Sequence, residues 1–254
     1  MAYGAHPDQV ADVWLPHAIR RPTNSTGTER SPLVLFLHGG FWRHEWDRAH
    51  TGPLAAALAT LGYTVATVEY RRTGGPGGGW PGTFEDVSAA VRTVPVLLAS
   101  GVGVSPARIV VAGHSAGGHL ALWAAAGLAR EGRALSGVVA LAPVADMRSA
   151  YELDLDRGAV AALLGGGPEV APDRYALADP MSLVPLGALL LLVHGARDLQ
   201  VPLDLSQRFV AAARAAGDEV SLTVLPDVDH FDVIDPESPA WPAVVQALHA
   251  VEQP

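Results

Sequence analysis

Residues 108–117, Arg108-Ile109-Val110-Val111-Ala112-Gly113-His114-Ser115-Ala116-Gly117, decide the fold. An apolar run of strand length (108–112) feeds directly into Gly-x-Ser-x-Gly, and an Ala/Leu-rich stretch of helical length (116–130) follows at once. In such a sharp strand-to-helix turn the serine stands at the apex in strained backbone geometry, while the glycines remove side chains where chain segments crowd. The amide of Ala116, at the helix start, then points toward an oxygen that develops negative charge. The pattern alone arises by chance often. Between a buried strand and an apolar helix it marks a nucleophile, weighed against a plain glycine-rich turn.

Outward from this turn the same alternation repeats. Short apolar runs at 33–37, 64–68, 137–141 and 189–193 read as strands buried on both faces, with 220–225 a more alternating sixth. Stretches of helical length lie between or after them, at 52–61, 84–100, 203–216 and 240–251. Strand followed by helix along nearly the whole chain predicts an α/β fold, a mostly parallel, doubly wound sheet with helices on both faces. Residues 12–15 and 18–21 are expected to add an antiparallel edge, and 22–31 a surface loop. No internal repeat or linker divides the chain, so 1–254 is expected to be one domain. Residues 146–187, with several prolines and Gly165–Gly167, read as a small partial lid inserted after a strand. The glycine-rich stretch 73–79 reads as a flexible rim, because it lacks the Gly-Lys-Ser/Thr ending of a phosphate loop.

A serine hydroxyl needs a base, and the base an orienting carboxylate. The run 189–193 leads into His194-Gly195-Ala196-Arg197-Asp198, and 220–225 leads into Pro226-Asp227-Val228-Asp229-His230-Phe231. Asp198 and His230 therefore sit in loops past strand ends, in the order Ser, Asp, His. Asp146, Asp227, Asp229 and Asp232 compete for the acid role; Asp198 is preferred, because neighbours of a loop histidine diverge from it. His38-Gly39-Gly40-Phe41-Trp42 ends the strand 33–37. Its Gly40 and Phe41 amides are expected to join that of Ala116 in an oxyanion hole. His38 reads as a loop brace, Phe41 and Trp42 as an aromatic wall or as core. His119 reads as a helix-packing or rim histidine rather than a second base, and Trp46, Trp123 and Trp241 as core or surface packing residues. Arg43, Arg48, Arg71 and Arg72 follow strands and are candidate clamps for a substrate carboxylate, against the reading of solvated loop charge.

With these motifs the chain resembles the arylformamidase (kynurenine formamidase) and related esterase group of α/β-hydrolases. His38-Gly39-Gly40-Phe41-Trp42 is similar to that group's His-Gly-Gly-x-Trp motif, and Gly113–Leu120 and Asp229–Ile234 resemble its nucleophile and histidine segments. The likeness runs over about 33–235, with a weaker echo in 3–16. It implies Ser115, Asp198 and His230 as catalytic residues, and hydrolysis of a small amide or ester. N-formylkynurenine is the leading substrate, and short-chain carboxylic esters are the alternative. The leaving group would rest near His38, Gly39, Trp42, Trp80 and Tyr151. A non-catalytic binding protein of the same fold is the alternative of another class.

Composition narrows the chemistry independently. The 254 residues contain no cysteine and no lysine, so all 17 basic residues are arginine. That excludes disulfides, thiolate nucleophiles and zinc–thiolate sites, and also Schiff bases and phosphate-loop lysines. The net charge of −9 argues against nucleic acid as a partner. The longest apolar stretch, 186–193, falls far short of the ~20 residues that cross a bilayer, and after Met1-Ala2-Tyr3-Gly4 no basic segment precedes an apolar run, so no signal peptide is expected. The expectation is a cytoplasmic protein without membrane, metal or cofactor, acting on a small molecule, with a homodimer left open. His38, His44 and His50 recur every six residues but lack the His-Glu-x-x-His pattern of a metal site.

Overall fold

The structure is a computed structural model that describes residues 1–16, 31–106, 108–133 and 135–251. The expected edge segment 18–21, and the loop 22–31 except its last residue, lie outside the described residues. Among the described residues seven strands form one sheet: β1 (Ala11–Trp14), β2 (Leu33–Leu37), β3 (Thr64–Val68), β4 (Ile109–His114), β5 (Gly137–Leu141), β6 (Leu190–Gly195) and β7 (Val220–Leu225). Their spatial order is β1-β3-β2-β4-β5-β6-β7. β1 runs antiparallel to β3, pairing Ala11 with Val68, and the other pairs are parallel.

Side chains of a strand alternate between faces, and both faces of the central strands are apolar. Leu33, Leu35 and Leu37 join one core with Val111, Ala140 and Leu192, while Val34 and Phe36 join the other with Val110, Val139 and Val193. The first core is covered by α2 (Gly82–Leu97), α3 (Ala116–Arg130) and α8 (Leu203–Ala215). The second is covered by α1 (Gly52–Thr60) and α9 (Trp241–Ala250). Four short helices fill the stretch between β5 and β6: α4 (Met147–Glu152), α5 (Ala159–Leu164), α6 (Pro172–Ala178) and α7 (Pro180–Leu183).

The topology places the site. β2 is followed in sequence by its neighbour on one side, β3, and then by its neighbour on the other, β4. The chain therefore reverses direction across the sheet beside β2, and a crevice opens at the carboxyl ends of β2 and β4. The loop after Leu37 and the turn at Ser115 meet there.

Candidate active site

Ser115 links β4 to α3 at φ 56°, ψ −117°, a left-handed conformation costly for a residue with a Cβ. Three backbone bonds hold it there: its N–H donates to Leu141 O at 2.8 Å, and its carbonyl accepts from His119 N at 3.0 Å and Val144 N at 3.2 Å. The flanking glycines are required sterically. A Cβ on Gly117 would overlap the carbonyl of Leu37, and one on Gly113 the carbonyl of Gly117. Gly39 is packed less tightly but still closely, for a Cβ there would lie 2.8 Å from His114 Nδ1 and 3.2 Å from Ser115 Cβ. The loop after β2 is thus pressed onto the serine turn.

That loop passes through three consecutive positive φ angles, Gly40 (106°), Phe41 (48°) and Trp42 (57°). Among the described residues the N–H groups of Gly40 and Phe41 donate to no backbone carbonyl. The N–H of Ala116, in the first turn of α3, has no acceptor within its helix. These are the three donors expected from the sequence, and Gly40, Phe41 and Ser115 line one cavity of ≈ 420 Å³.

His230 lines the same cavity, and its Nδ1–H donates to Asp198 Oδ2 at 2.6 Å. Nε2 is then the nitrogen left unprotonated. Asp198 is itself fixed: Oδ2 also accepts from His194 Nε2 at 3.1 Å, and Oδ1 accepts from the N–H groups of Gln200 and Val201, each at 2.8 Å. Burial raises the pKa of such a carboxyl, but the hydrogen bonds from His194 and His230 prevail and hold it well below the usual carboxylate range. The competing acids are engaged elsewhere. Asp146 caps α4 through Ser149 N at 2.9 Å, Asp227 is exposed and pairs with Arg197, and Asp229 accepts from Phe231 N and Asp232 N. Asp232 in turn accepts from Asp229 N.

Behind the serine turn, His114 Nε2 lies 2.8 Å from the carbonyl of His230, and the two rings pack 4.5 Å apart. Burial, with the neighbouring His230, pushes the His114 pKa well below its ordinary value. A neutral His114 must therefore carry its proton on Nε2 and donate it to that carbonyl. His38 braces the loop from below: its Nδ1 is 2.7 Å from Gly39 O and its Nε2 2.8 Å from Glu69 Oε1. Glu69 is buried, which alone would raise its pKa, yet the hydrogen bond and charge of His38, with Arg72, bring it to about 2.

The expected binding residues are corrected by their packing. His38, Gly39, Trp42, Trp80 and Tyr151 do not line the cavity. Trp42 is fully buried, edge-on to His119 at 5.2 Å, because its positive φ turns the ring into the core. Trp80 packs on Phe84 at 5.0 Å, and Tyr151 on Tyr175 at 6.2 Å. The cavity wall is instead Phe41, Trp46, His50, Asp156, Gln200, Phe231 and Ile234 around the serine. Trp46, read from sequence as packing, is 50% exposed at this wall. Of these, Phe41 was read from the sequence as an aromatic wall, and Phe231 and Ile234 belong to the histidine segment; the others carried no sequence signal. Burial, followed by the charge of His38, lowers the pKa of His50.

The four candidate carboxylate clamps are all paired internally. Arg71 binds Asp86, Arg72 and Arg48 bind Glu69, and Arg43 binds Asp156. Among the described residues no three His, Asp or Glu side chains converge to hold a metal ion, and no helix is long and apolar enough to cross a membrane.

A parallel sheet with a strained serine between strand and helix, and with Asp and His on later strand-end loops, defines an α/β-hydrolase. Within that class the chain belongs to the BD-FAE family, whose model matches residues 19–212. It is 30% identical over 255 residues to esterase LipC of Mycobacterium tuberculosis, covering 92% of this chain and 59% of LipC. The chain thus spans little more than half the length of that relative. It is 31% identical over 227 residues to an acetyl-hydrolase of Streptomyces hygroscopicus, covering 83% of this chain and 70% of the relative. Esterase B of Lactobacillus Rhamnosis has the same fold at a TM-score of 0.78 and 22% identity, over 99% of this chain and 83% of that one.

Proposed function

We propose that the chain is a serine carboxylesterase acting on short-chain acyl esters through an acyl-enzyme. The observation that carries this reading is the Asp198–His230 hydrogen bond in the cavity lined by Ser115, Gly40 and Phe41. His230 Nε2 takes the Ser115 proton as Oγ attacks the ester carbonyl. The oxyanion is held by the N–H groups of Gly40, Phe41 and Ala116. His230, oriented by Asp198, returns the proton to the leaving alcohol, and water activated by the same nitrogen releases the acid. The esterase and acetyl-hydrolase names of the relatives support an ester and a small acyl group.

The formamide reading, hydrolysis of N-formylkynurenine, uses the same groups. It is favoured by the His-Gly-Gly-x-Trp resemblance and by the half-exposed Trp46 and Phe231 at the cavity, surfaces for an aromatic amine. The kcat/KM values for p-nitrophenyl acetate and butyrate, set against that for N-formyl-L-kynurenine, discriminate. Ester values at least tenfold higher support the carboxylesterase, and the reverse ranking establishes the formamidase. A fluorophosphonate probe should label Ser115; a folded protein that is neither labelled nor active would be a binding protein. The cytoplasmic location expected from the sequence is part of this proposal and is checked by cell fractionation.

A further inference from the structure

Glu69 and His38 form a buried pair (2% and 1% exposed) that the acyl-transfer steps leave without a task. The proton count at His38 is fixed by its neighbours. Nδ1 faces the carbonyl of Gly39 at 2.7 Å, and Nε2 faces the Glu69 carboxylate at 2.8 Å. Carbonyls and ionised carboxylates only accept, so both ring nitrogens must donate, and the ring is an imidazolium. Its surroundings fit a cation. The ring stacks on Tyr70 at 4.4 Å and 11°, and it meets His50 edge-on at 5.8 Å. Glu69 is held in turn by Tyr70 N (3.0 Å), Arg48 N (3.1 Å) and Arg72 Nε (3.2 Å). Arg72 Nε approaches the same oxygen, Oε1, as His38 Nε2, and Arg48 approaches Oε2, so without the carboxylate His38 would lie beside guanidinium charge unshielded. Tyr70 closes the cluster by donating its hydroxyl to His38 O at 2.8 Å.

The carbonyl that His38 grips belongs to the same peptide group as the Gly40 N–H. A charged donor on a carbonyl oxygen draws electron density from that amide and strengthens its N–H as a donor. We propose that Glu69 is a positioning residue for acyl transfer: it holds His38 as an imidazolium whose Nδ1–H fixes and polarises the Gly39–Gly40 peptide, presenting the Gly40 N–H to the developing oxyanion. This rests on the hydrolase reading above for its catalytic consequence, but the charge state does not.

Two measurements separate these parts. In the unmodified protein, the ¹⁵N resonances of His38 should report both ring nitrogens protonated from pH 6 to 8, whether or not any substrate is turned over. A single protonated nitrogen at pH 8 overturns the proposal. In Glu69→Gln a neutral amide replaces the acceptor-only carboxylate, so a single protonated ring nitrogen is expected at pH 8. The variant's kcat should then be about tenfold or more below the parent's at pH 8, less at pH 6, with KM changed by less than about threefold. Glu69→Asp should recover part of the loss. A kcat loss in Glu69→Gln equal at both pH values, or one carried by KM, means a merely structural role and overturns it. A doubly protonated His38 in a protein that hydrolyses neither esters nor formamides would support the ion pair and end the hydrolase reading instead.

Discussion

Asp198 does two jobs with one carboxylate. Oδ2 orients His230 and takes a second hydrogen bond from His194, while Oδ1 ties down the turn at Gln200 and Val201. His194 is a committed donor there, because its Nε2 faces only acceptors, Asp198 Oδ2 and the carbonyl of Val201 at 3.0 Å. Asp198→Asn should leave the turn bonds to Oδ1 intact yet present an amide N–H where His230 needs an acceptor, flipping the imidazole tautomer. We expect kcat to fall about 10⁴-fold, as in comparable triads, with fluorophosphonate labelling of Ser115 slowed in parallel; labelling at the parent rate would reassign the acid. The pairing of Asp198 with His230 was legible in the sequence because Asp198 follows a strand end at the right point in chain order. Its other partner was less so: His194 stands in the same motif but carries no mark of its direction. The arginines were illegible for a plainer reason. Arg43 meets Asp156 across 113 positions, and Arg71 meets Asp86 across 15, so nothing local separates a free clamp from a buried partner.

At the scale of elements, two helices of the stretch between β5 and β6 are fastened by a single carboxyl. Asp179 Oδ1 accepts from Met147 N at the start of α4 and from Met181 N at the start of α7, each at 3.1 Å, while Oδ2 is buried without a partner. Burial outweighs those two donors and raises the pKa from 3.8 to about 6. An acid whose folded pKa lies above its unfolded value contributes most when protonated, and that contribution is lost as pH rises through about 6. The melting temperature of the parent relative to that of Asp179→Asn should therefore fall as pH rises from 4 to 7; a difference that does not change with pH would remove Asp179 as its source. Glycines give a second test. Gly117→Ala would drive a methyl into Leu37 O and should cost at least about 3 kcal/mol, whereas Gly127 in the same helix faces open space, where alanine should add about 0.5–1 kcal/mol. Denaturant midpoints of the two variants check the contrast. The long helices and doubly buried strands were legible because their apolar runs exceed one period, though β1 begins one residue earlier than expected and α2 begins two residues earlier. The four helices between β5 and β6 run only 4–7 residues, too short for a periodicity to declare itself.

For the whole molecule, strand–helix alternation made the sheet legible, and the Gly-x-Ser-x-Gly context placed the serine at its carboxyl edge. Strand order was not legible, since placing β2 between β3 and β4 depends on how helices divide between two faces, and both faces of the central strands are equally apolar. That order matters energetically, because it lets neighbouring strands impose a conformation Ser115 would not adopt alone. Leu141 of β5 accepts the Ser115 N–H, and the loop after β2 packs on its Cβ. A left-handed residue of this kind stores about 1–3 kcal/mol of strain, which the stability of the entire fold must offset. Its φ and ψ are the mirror image of an ordinary extended conformation, open to glycine alone. Ser115→Gly should thus abolish turnover and still stabilise the protein, by about 1 kcal/mol after glycine's extra unfolded-state entropy, or about 2–4 °C in Tm. Ser115→Ala removes the hydroxyl but keeps the Cβ and its strain, so it should melt below Ser115→Gly. Calorimetry of the two variants decides the point: if glycine melts at or below alanine, the serine turn stores no strain, and close packing alone keeps the nucleophile in place.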